Sequence, residues 1–162
     1  MTLRFDKVDL VHVLDEVLAE FEALLAARQL RVARYIEGTS VVRGDGLLLG
    51  QVIRNLLSNA VKYSPPEAQM DIRMAPYLKV EGDVQHHMLE FAVADRGVGI
   101  PEGEQDLIFE KFVQSSLTRS GAGGTGLGLA ICKEIVALHG GEIFACCRLG
   151  GGAEFVVRLQ AG

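Results

Sequence analysis

Gln51, Asn55, Asn59 and Lys62 are spaced by four, four and three residues. They interrupt a run from Asp45 to Lys62 otherwise dominated by Leu48, Leu49, Val52, Ile53, Leu56, Leu57, Ala60 and Val61. At about 3.6 residues per turn the four polar residues form one narrow stripe on a helix whose remaining circumference is apolar. A solvated face normally carries Glu and Lys, whereas asparagine is a poor helix former because its side chain competes for the backbone. Either the stripe is a partly exposed face with incidental amides, or its two asparagines have a task. A carboxamide oxygen ligates a hard cation such as Mg2+ without adding negative charge beside a polyphosphate, and the Lys62 ammonium can meet phosphate.

A second candidate lies in "GAGGTGLGLAICKEIVALHGG", where glycine fills four of the six positions from Gly123 to Gly128 and a helical pattern follows to Leu138. "GAGGTG" satisfies the dinucleotide fingerprint GxGxxG, but that motif needs a strand running straight into the turn and a parallel strand after the helix. Here a polar loop precedes it and a hairpin pattern follows. A phosphate-binding P-loop is excluded because no Gly-Lys-Ser/Thr follows the glycines. Both motifs share one physical device: the free N–H groups and partial positive charge of a helix's first turn hold phosphate where no Cβ blocks the approach. Gly124, Gly126 and Gly128, with Thr125 and Leu127 between them, supply that open path. A hinge or a tight helix–sheet contact is the alternative use of such glycines.

The third candidate is "AVADRGVGIPE", in which an apolar strand ends in Asp95 and turns through Gly97 and Gly99 before Ile100. Aspartate is an ordinary turn former, so alone it means little. A buried acceptor beside an apolar wall formed by Ile100 suits the exocyclic amine of a purine and rejects a carbonyl in the same place. Tyr63, directly after Lys62, offers a flat face for a base.

The elements that must bring these residues together follow from periodicity. Leu10, Leu14, Val17, Leu18, Phe21, Leu24 and Leu25 recur at helical spacing and predict an amphipathic helix. "LRVARYIE" and "SVVRG" read as short strands, and Asp45 as the N-cap of a helix through Lys62 that "SPP" stops. "MDIRMAPYLKV" and "MLEFAVAD" read as a hairpin around the polar tip "EGDVQHH". A short helical piece is expected around Glu104 to Phe112, a mobile loop over about 113–125, and a helix from Leu127 to Leu138. "GEIFACCRL" and "AEFVVRLQ" around "GGG" predict a closing hairpin. Helices and strands alternate in pairs, so the expected class is α+β: one domain over 1–162, a mixed, mostly antiparallel sheet covered on one face by about three helices.

The 162 residues are 49% hydrophobic, enough for a substantial core, and carry a net charge of −5, which with no Lys/Arg cluster argues against a nucleic-acid surface. No apolar run approaches the roughly 20 residues of a membrane span, and no basic-apolar leader opens the sequence. Three cysteines without a CxxC pattern read as reduced thiols. The expectation is a cytoplasmic location with no membrane contact by this chain.

Taken in order, "QVIRNLLSNAVKYS", "DRGVGI", "IFEKFVQ" and "GGTGLGLAI" resemble the N box, first glycine box, F box and second glycine box of the catalytic and ATP-binding domain of sensor histidine kinases. That domain belongs to the superfamily of gyrase, the ninety-kilodalton heat-shock chaperones and mismatch-repair ATPases, with a Bergerat-type two-layer fold. The resemblance covers nearly the whole chain, including "DKVDLVHVLDEVLAEF". It implies ATP and Mg2+ as ligands, Asn59 as the metal ligand, Asn55 beside metal and phosphates, and Lys62 on phosphate. Tyr63 packs on adenine, Asp95 accepts from the adenine amine, and Gly97, Gly99 and Ile100 shape the pocket. Phe109 and Phe112 anchor the start of a lid, and Gly124, Thr125, Gly126, Leu127 and Gly128 close on the phosphates.

Hydrolytic members of the superfamily place a glutamate where Asn55 stands, and an amide cannot take a proton from water. The resemblance therefore implies transfer of the γ-phosphoryl to a histidine on a helical dimerisation domain, and onward to the receiver domain of a response regulator. The full-length protein is expected to be a homodimer and the isolated domain a monomer. His12, His86, His87 and His139 lie outside any phosphoacceptor pattern and read as structural or surface residues, His139 as a cation suited to a helix end. An ATPase of the same fold, a non-catalytic nucleotide-binding module and a serine kinase of the anti-sigma type are the rival readings. Two positions depart from the pattern. Gln114 stands where a basic residue often follows the F box, leaving Lys111 or Arg119 to grip phosphate, and Ala153 stands where a Thr or Ser hydroxyl helps a water bridge Asp95 to adenine.

Overall fold

A computed structural model describes residues 4–100, 103–105, 107–110, 128–148 and 150–162. Its elements are β1 (Asp6–Asp9), α1 (Leu10–Ala27), β2 (Arg31–Ile36), β3 (Val41–Gly44), α2 (Gly46–Tyr63), β4 (Gln69–Glu81), β5 (Val84–Ala94), a 3-10 turn (Leu107–Phe109), α3 (Gly128–Leu138), β6 (Glu142–Cys147) and β7 (Ala153–Gln160). Five strands form one sheet in the order β2-β4-β5-β7-β6, and β1 pairs with β3 in a separate ribbon. Only β2 and β4 run parallel within the large sheet, because β3 and α2 intervene between them; the other pairs are antiparallel.

One face of that sheet supplies Met70, Ile72, Met74, Leu89, Phe91, Val93, Phe155, Val157 and Leu159 to the core. Helices α1, α2 and α3 add Leu14, Val17, Leu49, Ile53, Leu56, Leu57, Cys132 and Val136 to the same cluster. The expected α+β architecture, with three helices against a mostly antiparallel sheet, is the observed one. On the opposite face, among the described residues, long side chains lie over the strands. The Arg158 guanidinium lies 3.8 Å from the Tyr77 ring centre and 4.8 Å from that of Phe144 while its Nε donates to Glu90 Oε2 at 2.8 Å, and Ala92 and Val156 on this face are buried.

Helix α2 starts as its sequence predicts, with the Asp45 carboxylate accepting from the amides of Leu47 (3.1 Å) and Leu48 (3.3 Å). It stops at Ser64, whose amide and hydroxyl both donate to the Ala60 carbonyl ahead of Pro65 and Pro66.

Several boundaries differ from the sequence expectation. The β4–β5 turn is only Gly82 and Asp83; Val84 to His87 continue the ladder, with Leu78 opposite His87 and Val80 opposite Gln85. Polar side chains there mark a strand that leaves the sheet with both faces in water, not a loop. The helical piece near Phe109 is a three-residue 3-10 turn. Leu24, counted in the α1 stripe, is exposed. His139 is a buried structural residue, not a surface one. Its ring is 3% exposed, its Nε2 accepts from the Asp45 amide at 3.0 Å, its Nδ1 donates to the Ile135 carbonyl at 2.8 Å, and Phe5 stacks on it. These contacts make the ring a buried structural link between the end of α3 and the start of α2.

Candidate functional site

The polar stripe of α2 is real: Gln51, Asn55, Asn59 and Lys62 are all half-buried, with Val52, Ile53, Leu56, Leu57, Ala60 and Val61 on the core side of it and Arg54 and Ser58 exposed on the other. Asn55 Nδ2 donates to the carbonyl of Gly128 at 3.3 Å, so the stripe meets the first residue of α3. Beneath this contact lies Cys132, fully buried. Burial pushes its thiol up to about 12, against a weaker opposing hydrogen bond from Asn55, so the sulfur is a protonated packing group that donates to the Val52 carbonyl. One turn further along α2 lies Asn59, also half-buried. Lys62 and Tyr63 end the helix, with the ammonium 5.8 Å from the Tyr63 ring centre.

Asp95 stands at the end of β5, 4% exposed. Its Oδ1 accepts from the amides of Gly97 (2.9 Å) and Ala153 (3.2 Å), and its own amide donates to the Ala153 carbonyl at 2.9 Å. Both side-chain bonds fall on Oδ1, which leaves Oδ2 as the acceptor available to a bound group. Burial raises the carboxyl above the usual carboxylate range, opposed by the two amides and the positive charge of Arg148. Such a group is costly to the fold, as expected for one kept for binding.

The glycines around Asp95 are required by close approach. A Cβ on Gly97 would stand 2.2 Å from the Tyr63 carbonyl oxygen, so this glycine alone lets the Asp95 turn rest against the end of α2. Gly99 has φ +79°, which favours glycine. Ile100 forms a buried wall, and its carbonyl accepts from the Cys147 thiol at 3.4 Å. Phe109 is buried and meets Phe155 edge-on at 6.3 Å, fixing where the chain leaves this pocket. Phe112, Gly124, Thr125, Gly126 and Leu127, together with Lys111, Gln114 and Arg119, lie outside the described residues.

Sequence reasoning missed one contributor. Gly152, read only as part of a turn, has φ +94°, and a Cβ there would stand 2.1 Å from the Asp95 carbonyl oxygen. The signal was present in three consecutive glycines, more than the two positions a tight hairpin needs. A groove of about 650 Å3 lined by Val8, Val13, Val17, Leu47, Gly50 and Arg54 contains none of these site residues.

Among the described residues no cluster of three or more His, Cys, Asp or Glu is placed to hold a metal. Mg2+ bound through one neutral oxygen, waters and the phosphates of a nucleotide needs no such cluster, and the Asn59 carboxamide fits that role.

Residues 44–162 match the family described as histidine kinase-, DNA gyrase B- and HSP90-like ATPase. The chain belongs to this family. Within the family its relatives are sensor histidine kinases. It is 44% identical over 118 residues to the circadian input-output histidine kinase CikA of Synechococcus elongatus, a match covering 72% of this chain and 15% of CikA. Among solved structures, the mycobacterial sensor histidine kinase MprB superposes with a TM-score of 0.79 at 28% identity, covering 98% of both chains. Full-length ShkA in complex with AMPPNP superposes with a TM-score of 0.77 at 27% identity, covering all of this chain and 32% of ShkA. The chain thus spans only a small part of the length of CikA and about a third of ShkA. No helix among the described residues is long and apolar enough to cross a membrane.

Proposed function

We propose that this chain is the ATP-binding catalytic domain of a two-component sensor histidine kinase, which binds Mg-ATP and passes the γ-phosphoryl to a histidine on a separate dimerisation domain. The observation that carries the reading is the Asn55–Gly128 contact. It joins the amide stripe of α2 to the residue that ends the glycine box, which supports one shared site for metal and phosphate. The same contact weighs against hydrolysis: Asn55 donates to a carbonyl, which an ionised glutamate in its place could not do, and an amide is no base for water.

In this reading Asn59 holds Mg2+, which neutralises charge on the phosphates. Asn55 and Lys62 orient the phosphates, with the N–H groups of Gly124 to Gly128 closing on them. Asp95 Oδ2 accepts from the adenine amine, between Tyr63 on one side and Ile100 with Gly97 and Gly99 on the other; Phe109 and Phe112 anchor the lid. The bond from the γ-phosphorus to the bridging oxygen breaks, a phosphorus–nitrogen bond forms on the acceptor imidazole, the ring loses a proton, and ADP departs. A receiver aspartate then takes the phosphoryl group. The full-length protein is a homodimer through its dimerisation helices, with this chain as one cytoplasmic domain of it.

Calorimetry with Mg-ATP tests the site. Asn59→Ala is expected to abolish binding. Asp95→Asn is expected to weaken it at least about a hundredfold: with Oδ1 held by two amides, the new NH2 must occupy the Oδ2 position and face the adenine amine donor to donor. Wild-type affinity in both variants overturns the site. With labelled ATP and a histidine-bearing dimerisation domain, acid-labile label on that domain is the expected product, whereas free phosphate alone identifies an ATPase.

A further inference from the structure

Arg28, the C-cap of α1, reaches across to the end of α2. Its Nη1 donates to the Val61 carbonyl at 2.8 Å and its Nη2 to the Ser64 carbonyl at 2.7 Å, while its own carbonyl accepts from the Glu67 amide at 3.0 Å. One residue thus bonds both sides of Lys62 and Tyr63. The last carbonyls of a helix have no partner within it, so an outside donor decides how the final turn sits. The Tyr63 carbonyl, between the two that Arg28 holds, is the atom against which Gly97 packs. Arg28 therefore grips the seat on which the Asp95 turn rests.

We infer that Arg28 is a positioning residue for the nucleotide site: through the carbonyls of Val61 and Ser64 it sets the separation between Tyr63 with Lys62 and the Asp95–Gly97 turn, and with it the affinity for nucleotide. The inference rests on the reading of the site given above. A planar guanidinium with a rigid fork of donors can hold two carbonyls three residues apart at once, whereas a lysine ammonium is a point donor that replaces only one bond. Arg28 is half-buried and its two bonds are to neutral backbone atoms, so its role is geometric and not that of a surface ion pair.

The test compares the full chain with Arg28→Met and Arg28→Lys by calorimetry with Mg-ATP and Mg-ADP, at a temperature where circular dichroism shows every variant folded. Arg28→Met is expected to bind both nucleotides about tenfold more weakly, and Arg28→Lys to fall between it and wild type, as for a shift of under 1 Å between the two walls. In a Gly97→Ala background, where the seat is already displaced, Arg28→Met is expected to add less than it does alone. A purely structural cap would lower the melting temperature and leave the dissociation constants unchanged, and that result overturns the inference while leaving the site reading intact. Should Arg28→Met not fold, the Arg28→Lys comparison decides on the same terms. Absence of nucleotide binding by wild type, or wild-type affinity in Asn59→Ala, would instead overturn the site reading itself.

Discussion

Gly97→Ala places a methyl carbon 2.2 Å from the Tyr63 carbonyl oxygen and 3.0 Å from its carbon. An ordinary contact needs about 3.2 Å or more, so the Asp95 turn and the end of α2 must part by about 1 Å. Neither side is a flexible side chain: one is the final turn of a helix, the other a turn whose Asp95 is bonded to Gly97 and Ala153. Overpacking against backbone on this scale costs about 2–3 kcal/mol, or a fall in melting temperature of about 5–10 °C for a chain of this length. The same displacement separates Tyr63 from Asp95, so nucleotide affinity is expected to drop by about ten- to a hundredfold. Gly50→Ala is the control, because its new Cβ meets only Val13 at 3.6 Å inside α2. There alanine is expected to stabilise by about 0.5–1 kcal/mol through helix propensity, with affinity unchanged. Urea denaturation and calorimetry read both variants. A Gly97→Ala protein with wild-type midpoint and affinity would refute the close approach of these two segments.

Asp95→Asn is expected to bind nucleotide poorly yet match or exceed wild-type stability at neutral pH. Burial raises the folded-state carboxyl above its unfolded value, so the stability linked to its proton is fully present below about pH 3.8 and is lost as pH rises through the folded value. Urea midpoints of the two proteins should thus diverge in favour of the variant as pH increases above that range; a parallel pH dependence would contradict the assignment. Asn55→Asp sets a carboxylate oxygen against the Gly128 carbonyl in place of a donor 3.3 Å away, and a loss of about 1–3 kcal/mol is expected in the same assay. Arg158→Lys gives up stacking on Tyr77 and Phe144 and is expected to cost about 1 kcal/mol, measured by thermal unfolding.

Much of this arrangement was legible from residue order because it is local. The N-cap at Asp45, the stripe from Gln51 to Lys62 and the halt at the prolines depend on residues within one helix, and periodicity reports them directly. Asp95 at a strand end was visible too, though not that its acceptor would be aligned by the Ala153 amide 58 residues away. Strand β1 escaped notice because "DKVD" is short and almost fully exposed, without alternation; it exists through pairing with β3. Gln85 to His87 looked like a loop because side-chain polarity reports solvent on both faces, and a backbone ladder is indifferent to that. His139 read as a structural or surface residue, but which of the two was not legible, because Phe5 and the β3–α2 junction that bury the ring and supply a donor to it are distant in sequence.

That histidine also bears on where the glycine box ends and α3 begins. Helices α2 and α3 are tied twice: His139, just past the end of α3, to the Asp45 cap of α2, and Gly128, at the start of α3, to Asn55 in the middle of α2. The pair must therefore run antiparallel. At about 1.5 Å per residue, Asp45 to Asn55 is about 15 Å and Gly128 to His139 about 16 Å, so two straight helices satisfy both ties without bending. A residue added to or removed from the middle of α3 would rotate its remaining turns by about 100° and break one tie or the other. The length of α3 is thus set by the requirement that its first turn, where a helix is most receptive to phosphate, arrive beside an amide of α2, while the ring at its far end holds the register.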